Sequence, residues 1–218
     1  YLERLAYRLA DAVTVLSSDL QANVAAKVTE LRHPPVIETI PNFVDSAALR
    51  PLDRLTSYRK EHGLGERIVV MYAGNLGHSQ SLDLMVAAAR RHRHRQDLVY
   101  VINGGGVRAA ELAAVAANLE NLVVVDYQPA ERLGEVLASA DIHVVLLRTG
   151  LGSASVPSKA YSSMASGRPV VVSVDPGTEL ARAVAESGAG LAVLPDDLDA
   201  FTTAIERLAD DPELRNQM

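Results

Sequence analysis

Short apolar runs rich in valine, isoleucine and leucine alternate with longer amphipathic patterns along almost the whole chain. Several of these runs lack polar alternation, which is typical of strands that helices cover on both faces. We predict eight strands, at Ala12–Leu16, Val36–Ile40, Ile68–Ala73, Leu98–Asn103, Leu122–Asp126, Ile142–Leu147, Pro169–Val174 and Leu191–Leu194. The alternation of strand and helix favours βαβ units, and therefore an α/β fold built on a parallel sheet.

Residues 41–66 separate the second and third predicted strands and combine prolines with a charged stretch, as an interdomain linker does. From about Arg67 onward six strands follow in regular succession with helices, which predicts a complete doubly wound domain. The two earlier strands are too few for a domain of their own. We therefore assign residues 51–218 to the doubly wound domain, and residues 1–50 to the tail of a preceding domain with its linker. Because Tyr1 is not methionine and lies inside an amphipathic segment, we expect a piece of a longer protein.

The composition is that of a globular protein, with 48% hydrophobic and 22% charged residues in a chain of 218. A formal net charge of -6 argues against a nucleic-acid partner bound through its phosphates. Because the chain has no cysteine, disulfides, thiolate-bound metals and a cysteine nucleophile are excluded. No apolar stretch approaches the roughly 20 residues that cross a bilayer, and no signal-peptide pattern opens the sequence. We expect a cytoplasmic protein.

One basic run, Arg90 to Arg95, follows a predicted helix. It lacks the interleaved aromatic side chains on which nucleic-acid bases stack. Cations at the C-terminus of a helix also suit the helix dipole. We favour a solvated helix end over a patch that binds anionic lipid.

Three loops that follow predicted strands are rich in glycine, and the carboxyl ends of parallel strands share one edge of a sheet. Helix N-termini at that edge attract anions. The first loop, residues 73–80, is either a tight turn or a close backbone approach to a ligand, with Ser79 or Ser81 capping the next helix. The second, residues 103–108, has three consecutive glycines, which indicate a sharp bend or a bound group. Neither has the G-x-G-x-x-G pattern of a dinucleotide site.

The third loop, residues 148–159, is the longest and runs into a helix. Pro157 suits a first helical turn. A lysine in that turn opposes the helix dipole, at a cost of roughly a few tenths of a kcal/mol. We therefore interpret Lys159 as a group that meets an anion rather than solvent.

Five further segments occur in a characteristic order along this βα succession. They are Ile40–Asp45, Ala140–Val144, Met164–Val171, Pro176–Glu179 and Gly188–Leu191. Together they resemble the family-4 retaining glycosyltransferases of the GT-B fold, and the resemblance covers the whole chain. Two more segments, Tyr72–Gly77 and Val156–Lys159, are most similar to the branch that makes bacterial capsular, colanic-acid-like and O-antigen polysaccharides.

The resemblance implies that this chain is the Rossmann-like C-terminal half of a GT-B fold, which holds a nucleotide diphosphate sugar. By position, the first loop and Lys159 contact the diphosphate, the loop at Tyr127 and Gln128 receives the base, and Ser158 lies near the phosphates or the sugar. The donor-binding residues that we expect are Gly74, Asn75, Leu76, Gly77, Gly104, Gly105, Tyr127, Gln128, Arg148, Ser158 and Lys159. Lys159 is also the candidate catalytic group, because it would stabilise the charge of the departing diphosphate.

The same resemblance implies a UDP-sugar or GDP-sugar donor, no metal and no other cofactor. The acceptor, a glycan or a lipid-linked glycan, is expected on the preceding domain, so that the fragment alone would be inactive. Location at the inner face of the membrane, by peripheral contact, is a further implication. Two glutamates that many relatives carry around residues 154–162 are absent here, and Asn75 and Gln80 stand where many relatives have arginine and lysine.

Two other functions remain open at this point: a nucleotide-sugar 2-epimerase, which uses the same architecture, and a non-catalytic nucleotide-binding domain.

Three side chains also have open roles. His143 lies in a buried strand pattern and is expected to be packed and hydrogen-bonded, whereas His78 could reach a substrate. Glu179 begins a predicted helix, where it either favours the dipole or faces the sugar.

Overall fold

The fold is described by a computed structural model that covers residues 2–152 and 154–218. In that part of the chain the strands form two parallel sheets, of two and six strands. The small sheet pairs β1 (Ala12–Val15) with β2 (Val36–Thr39), and two helices accompany it, α1 (Leu2–Leu9) and α2 (Ser18–Val28).

The large sheet contains the six strands predicted after residue 67, and its strand order is that of a doubly wound domain. The strands are β3 (Ile68–Ala73), β4 (Leu98–Asn103), β5 (Leu122–Val125), β6 (Ile142–Leu146), β7 (Val170–Ser173) and β8 (Gly190–Val193). Their order is β5-β4-β3-β6-β7-β8, and every pairing is parallel. The chain thus winds outward in both directions from β3 and β6, and the predicted α/β fold is confirmed.

Helices cover both faces of the large sheet. They are α3 (Ser57–Glu61), α4 (Leu82–Arg91), α5 (Ala109–Ala116), α6 (Leu133–Ala138), α7 (Lys159–Ala165), α8 (Glu179–Ser187), α9 (Leu198–Asp210) and α10 (Pro212–Gln217). Successive residues of β3 point to opposite faces: Val70 and Tyr72 join one apolar core, and Val69 and Met71 join the other. Burial on both faces explains why the strand runs show no polar alternation.

Two arginines of the charged stretch before β3, Arg54 and Arg59, bond to the large sheet. Arg59 is only 2% exposed and forms an ion pair with Asp141, the residue just before β6. Asp141 also accepts hydrogen bonds from the backbone N–H of Val69 (2.8 Å) and from Arg54 (3.3 Å). This cluster attaches α3 and the residues before it to the large sheet.

Two carboxylates connect the small sheet to the large one. Glu179, at the start of α8, accepts hydrogen bonds from the backbone N–H (2.8 Å) and the hydroxyl (2.9 Å) of Ser18 at the start of α2. In return, Asp19 accepts the backbone N–H of Glu179 at 2.5 Å. Each helix therefore supplies a carboxylate to the N-terminus of the other. The carboxylate of Glu179 is bonded to α2 and is not directed into a cavity.

The basic run ends α4, and four of its six residues, Arg90, Arg91, Arg93 and His94, are exposed, as expected of a solvated helix end. His92 is buried and bonds Tyr100 Oη at 2.6 Å and Glu206 Oε1 at 2.8 Å. Arg95 pairs with Asp97 and with Asp210, both at 2.7 Å. Only His92 and Arg95 depart from the expectation of a solvated terminus, because α9 packs against α4 and brings Glu206 and Asp210 to them.

His143 is packed within β6 as predicted. Its ring is buried, and Nε2 lies 3.0 Å from the carbonyl oxygen of Leu137. Burial lowers the pKa of His143 to about 4, so the ring is neutral at physiological pH. It therefore has a structural role.

None of the helices in the described part of the chain combines the length and the apolar character that crossing a membrane requires.

Candidate functional site

A cavity of about 490 Å³ opens at the carboxyl edge of the large sheet, where the winding direction reverses between β3 and β6. Ligands of doubly wound proteins bind at this switch point. The residues that line the cavity are Ala73, Gly74, Asn75, Gln80, Asn103, Tyr127, Gln128, Pro129, Ala130, Leu133, Val136, Leu137, Leu146, Leu147, Ser155, Val156, Pro157, Ser158, Lys159, Ser162 and Ser163.

Close packing of the first two glycine-rich loops shapes one wall of this cavity. Gly74 and Gly104 have φ angles of +146° and +155°, which residues other than glycine rarely adopt. A Cβ atom on Gly104 would lie 1.9 Å from the carbonyl oxygen of Gly74, so the two loops approach more closely than any other residue would allow. A Cβ on Gly105 would lie 2.9 Å from the Tyr127 ring. These glycines serve the contact between loops.

The structure brings six of the predicted donor-binding residues together in the cavity wall. They are Gly74, Asn75, Tyr127, Gln128, Ser158 and Lys159. The other five, Leu76, Gly77, Gly104, Gly105 and Arg148, do not line the cavity.

Each of the remaining predicted residues has another local role. Leu76 is buried in the core, and its backbone N–H donates to the carbonyl oxygen of Gly105 at 2.8 Å. Gly77 donates its N–H to Gln80 Oε1 at 3.1 Å. The half-exposed Arg148 side chain lies 3.5 Å from a carboxylate oxygen of Asp83.

Two details of the loops differ from expectation. Ser81 is the residue before α4, but its hydroxyl donates to Asp196 at 2.5 Å. Its side chain therefore does not cap the N-terminus of α4. In the third loop, the carboxylate of Asp175 accepts the backbone N–H groups of Gly150 and Gly152, both at 2.9 Å. Those amides are therefore already bonded to protein. His78 is exposed and lies outside the cavity wall.

Among the described residues that line the cavity, Lys159 is the only one with a charged side chain. Its ammonium donates to the hydroxyl of Tyr72 and lies 4.1 Å from the centre of the Tyr72 ring. The same hydroxyl donates to the carbonyl oxygen of Asn75 at 2.7 Å, which leaves its lone pairs for the ammonium. Within residues 2–152 and 154–218, no carboxylate pairs with Lys159.

Burial lowers the pKa of Lys159 from 10.5 to about 8, because the charged form loses hydration without gaining a counter-ion. A bound anion would reverse this shift by favouring the ammonium. The cavity thus contains one cation whose charge the described protein does not neutralise.

The lowered pKa predicts that stability depends on pH in a defined window. Between about pH 8 and 10.5 the unfolded chain holds the Lys159 proton while the folded chain releases it. The unfolding free energy of the ligand-free chain should therefore rise with pH in this window, by at most about 1.4 kcal/mol per pH unit. Urea denaturation of the wild type and of Lys159→Met from pH 7.5 to 10.5 checks this, since only the wild type should show the Lys159 contribution. Parallel pH profiles would contradict it.

The remaining polar groups of the cavity wall are neutral. They are the amides of Asn75, Gln80, Asn103 and Gln128 and the hydroxyls of Tyr127, Ser155, Ser158, Ser162 and Ser163. Sequence reasoning had not selected Gln80, Asn103, Ser162 or Ser163 as ligand contacts. Ser162 and Ser163 lie three and four residues after Lys159, a spacing that places helical residues on one face. In the described residues, no group of three histidine, aspartate or glutamate side chains could hold a metal ion.

Comparison with known proteins places this chain in a family. Residues 67–211 match the family model described as "Glycosyl transferases group 1". The chain belongs to the group 1 glycosyl transferases. The matched residues include the whole large sheet and every residue of the cavity wall.

This group 1 glycosyl transferase is similar to curated bacterial enzymes. It is 30% identical over 143 residues to the putative colanic acid biosynthesis glycosyl transferase WcaI of Escherichia coli K12, with 64% of this chain and 35% of WcaI covered. It is 30% identical over 211 residues to the GDP-mannose-dependent alpha-(1-6)-phosphatidylinositol monomannoside mannosyltransferase of Mycolicibacterium smegmatis, with 93% and 54% covered. The chain thus spans about half or less of the length of these relatives.

Among solved structures, the fold is similar to that of Anabaena HepE in complex with UDP-glucose. The TM-score is 0.75 at 17% identity, and 97% of this chain and 57% of HepE are covered. At that identity the likeness concerns the fold.

Proposed function

We propose that this group 1 glycosyl transferase binds a UDP-sugar or GDP-sugar in the cavity and transfers the sugar, with retention of configuration and without a metal, as a member of family 4. The observation that carries the proposal is Lys159. A half-buried ammonium to which the described residues offer no counter-ion, at the ligand-binding switch point, fits a ligand that brings its own negative charge.

The chemistry of the cavity suits a departing diphosphate. In the proposed step the bond between sugar C1 and the diphosphate oxygen breaks, and an acceptor hydroxyl oxygen bonds C1 on the same face. The hydroxyl proton passes to the leaving diphosphate. Lys159 would stabilise the charge that develops there, and the neutral amides and hydroxyls would orient the donor without repelling it.

The related proteins support a nucleotide-sugar donor and point to the type of acceptor. The name of the mycobacterial relative specifies a GDP-mannose donor and a phosphatidylinositol-linked acceptor, and WcaI is assigned to colanic acid biosynthesis. HepE, which shares the fold, was crystallised with UDP-glucose. We therefore propose a glycan or lipid-linked acceptor in bacterial surface polysaccharide or glycoconjugate synthesis, at the cytoplasmic face of the membrane.

In this proposal residues 51–218 form the donor domain, and residues 1–50 end a preceding domain that holds the acceptor. The separate small sheet and the packed segment from Arg54 to Arg59 are consistent with that division.

A nucleotide screen of the chain tests donor binding. Thermal shift with UDP, GDP, ADP, CDP and their sugars should raise the melting temperature most for UDP or GDP, since a ligand that binds only the folded state stabilises it by mass action. No shift with any of them would remove the proposed function. Product analysis of the full-length protein then separates net sugar transfer from epimerisation of the sugar nucleotide, or from binding without turnover.

A further inference from the structure

Asn103 has a free hydrogen-bond donor at the cavity. It is the last residue of β4, is 6% exposed and lines the cavity. Its Oδ1 accepts a hydrogen bond from the hydroxyl of Tyr58 at 2.9 Å. Its Nδ2 has no hydrogen-bond partner among the residues that the structure describes.

Tyr58 determines which end of the Asn103 amide faces the cavity. The Tyr58 side chain is fully buried, and burial raises the pKa of its hydroxyl, which stays protonated. The buried hydroxyl hydrogen needs an acceptor. If the amide were reversed, Nδ2 would face this hydroxyl and the acceptor would be lost. The NH₂ group of Asn103 is therefore directed away from Tyr58.

The position of Asn103 indicates which part of a nucleotide it meets. Asn103 pairs with Ala73 of β3 on one side and with Val125 of β5 on the other. Beyond β3 lies the Lys159 ammonium, 3.0 Å from where a Cβ on Gly74 would be. Beyond β5 lies Tyr127, 58% exposed, whose ring offers a stacking surface. Asn103 thus lies between the cation and the aromatic ring.

On the basis of the proposed function, we propose that Asn103 selects the base of the donor nucleotide by donating to a carbonyl oxygen. Uracil O4 and guanine O6 are acceptors at the edge where cytosine and adenine carry an amino group. An amino group there would face the amide NH₂ donor to donor, and a buried donor would stay unsatisfied. Tyr58, which lies outside the cavity wall, is the positioning residue.

Calorimetric titration with UDP, CDP, GDP, ADP and pyrophosphate tests this. For the wild type we expect UDP to bind roughly 10-fold or more tightly than CDP, and GDP likewise relative to ADP. Asn103→Asp, which replaces the donor with an acceptor of the same shape, should lower the keto-base affinity and reduce or reverse this preference. In Asn103→Leu the affinities for UDP and CDP, and those for GDP and ADP, should differ by no more than about threefold.

The control ligand is pyrophosphate, which lacks a base. Its affinity should stay within about twofold in Asn103→Leu and should fall in Lys159→Met. Asn103→Asp adds a negative charge, which repels every one of these anions, so this variant is judged by its UDP to CDP and GDP to ADP ratios. Tyr58→Phe frees the amide to turn, so it should reduce the UDP to CDP ratio while leaving pyrophosphate binding unchanged. The melting temperature of each variant reports whether its fold is retained. The UDP to CDP and GDP to ADP affinity ratios of the wild type test the inference without any substitution.

The outcomes separate this inference from the proposed function. Equal affinity of the wild type for UDP and CDP and for GDP and ADP, or unchanged ratios in folded Asn103 variants, would overturn the base-selection role. A parallel loss of pyrophosphate and nucleotide affinity in Asn103→Leu would place Asn103 at the phosphates instead, and would overturn it too. In each of these cases Lys159-dependent nucleotide binding, and with it the proposed function, would remain.

Discussion

Replacing Lys159 with methionine is expected to weaken UDP or GDP binding by about 1–3 kcal/mol, the cost of losing a charge-assisted contact. Methionine has a similar length and keeps the apolar packing on the Tyr72 ring, so the lost affinity reports the charge. The ligand-free variant should unfold at a higher temperature near pH 7, because the described protein offers the half-buried ammonium no counter-ion. Isothermal titration calorimetry and thermal denaturation measure the two effects.

Lys60→Met is the matched control, since Lys60 is exposed on α3 and does not line the cavity. It should change neither the nucleotide affinity nor the unfolding temperature. Nucleotide affinity that is the same in Lys159→Met and in the wild type would remove Lys159 from the donor site.

Replacing Asp141 with alanine is expected to lower the unfolding free energy by roughly 3–5 kcal/mol, the range for breaking a buried ion pair at one partner. The nearly fully buried guanidinium of Arg59 would lose its carboxylate, and the backbone N–H of Val69 would lose its acceptor. Because this cluster attaches α3 to the large sheet, Tyr58 on α3 should also become accessible. Urea denaturation measures the loss of stability.

Asp97→Ala is the comparison for this variant. Asp97 pairs with Arg95 at 2.7 Å, but its side chain is largely exposed and Arg95 keeps a second partner in Asp210. An exposed pair contributes at most about 1 kcal/mol. A loss of similar size in the two variants would mean that the buried cluster at Asp141 contributes little.

The strands were predictable from sequence because their signal is local. Each buried run of valine, isoleucine and leucine is set by the requirement to exclude water on both faces. β3 and β4 have the predicted bounds, and the predicted ends of the other strands differ from the observed ones by at most one residue. The βα order then determined which loops share an edge, and that edge is where the cavity lies.

The roles of individual residues in the loops were harder to predict, because they depend on partners far away in sequence. A glycine run is equally compatible with a bound ligand and with a second loop at close range, and Gly104 turned out to face Gly74. Asn103 became informative only through Tyr58, 45 residues earlier. Lys159 was accessible to sequence reasoning because a cation opening a helix conflicts with the local dipole.

The carboxylates exchanged between α2 and α8 have a mechanical consequence. Any movement that separates α2 from α8 would remove an acceptor from the N-terminus of each helix, because each holds the carboxylate of the other. Asp175, four residues before Glu179, accepts the backbone N–H groups of Gly150 and Gly152. These two glycines lie in the loop that leads to Lys159. The contact between α2 and α8 and the hydrogen bonds to Gly150 and Gly152 are therefore joined through the short segment from Asp175 to Glu179.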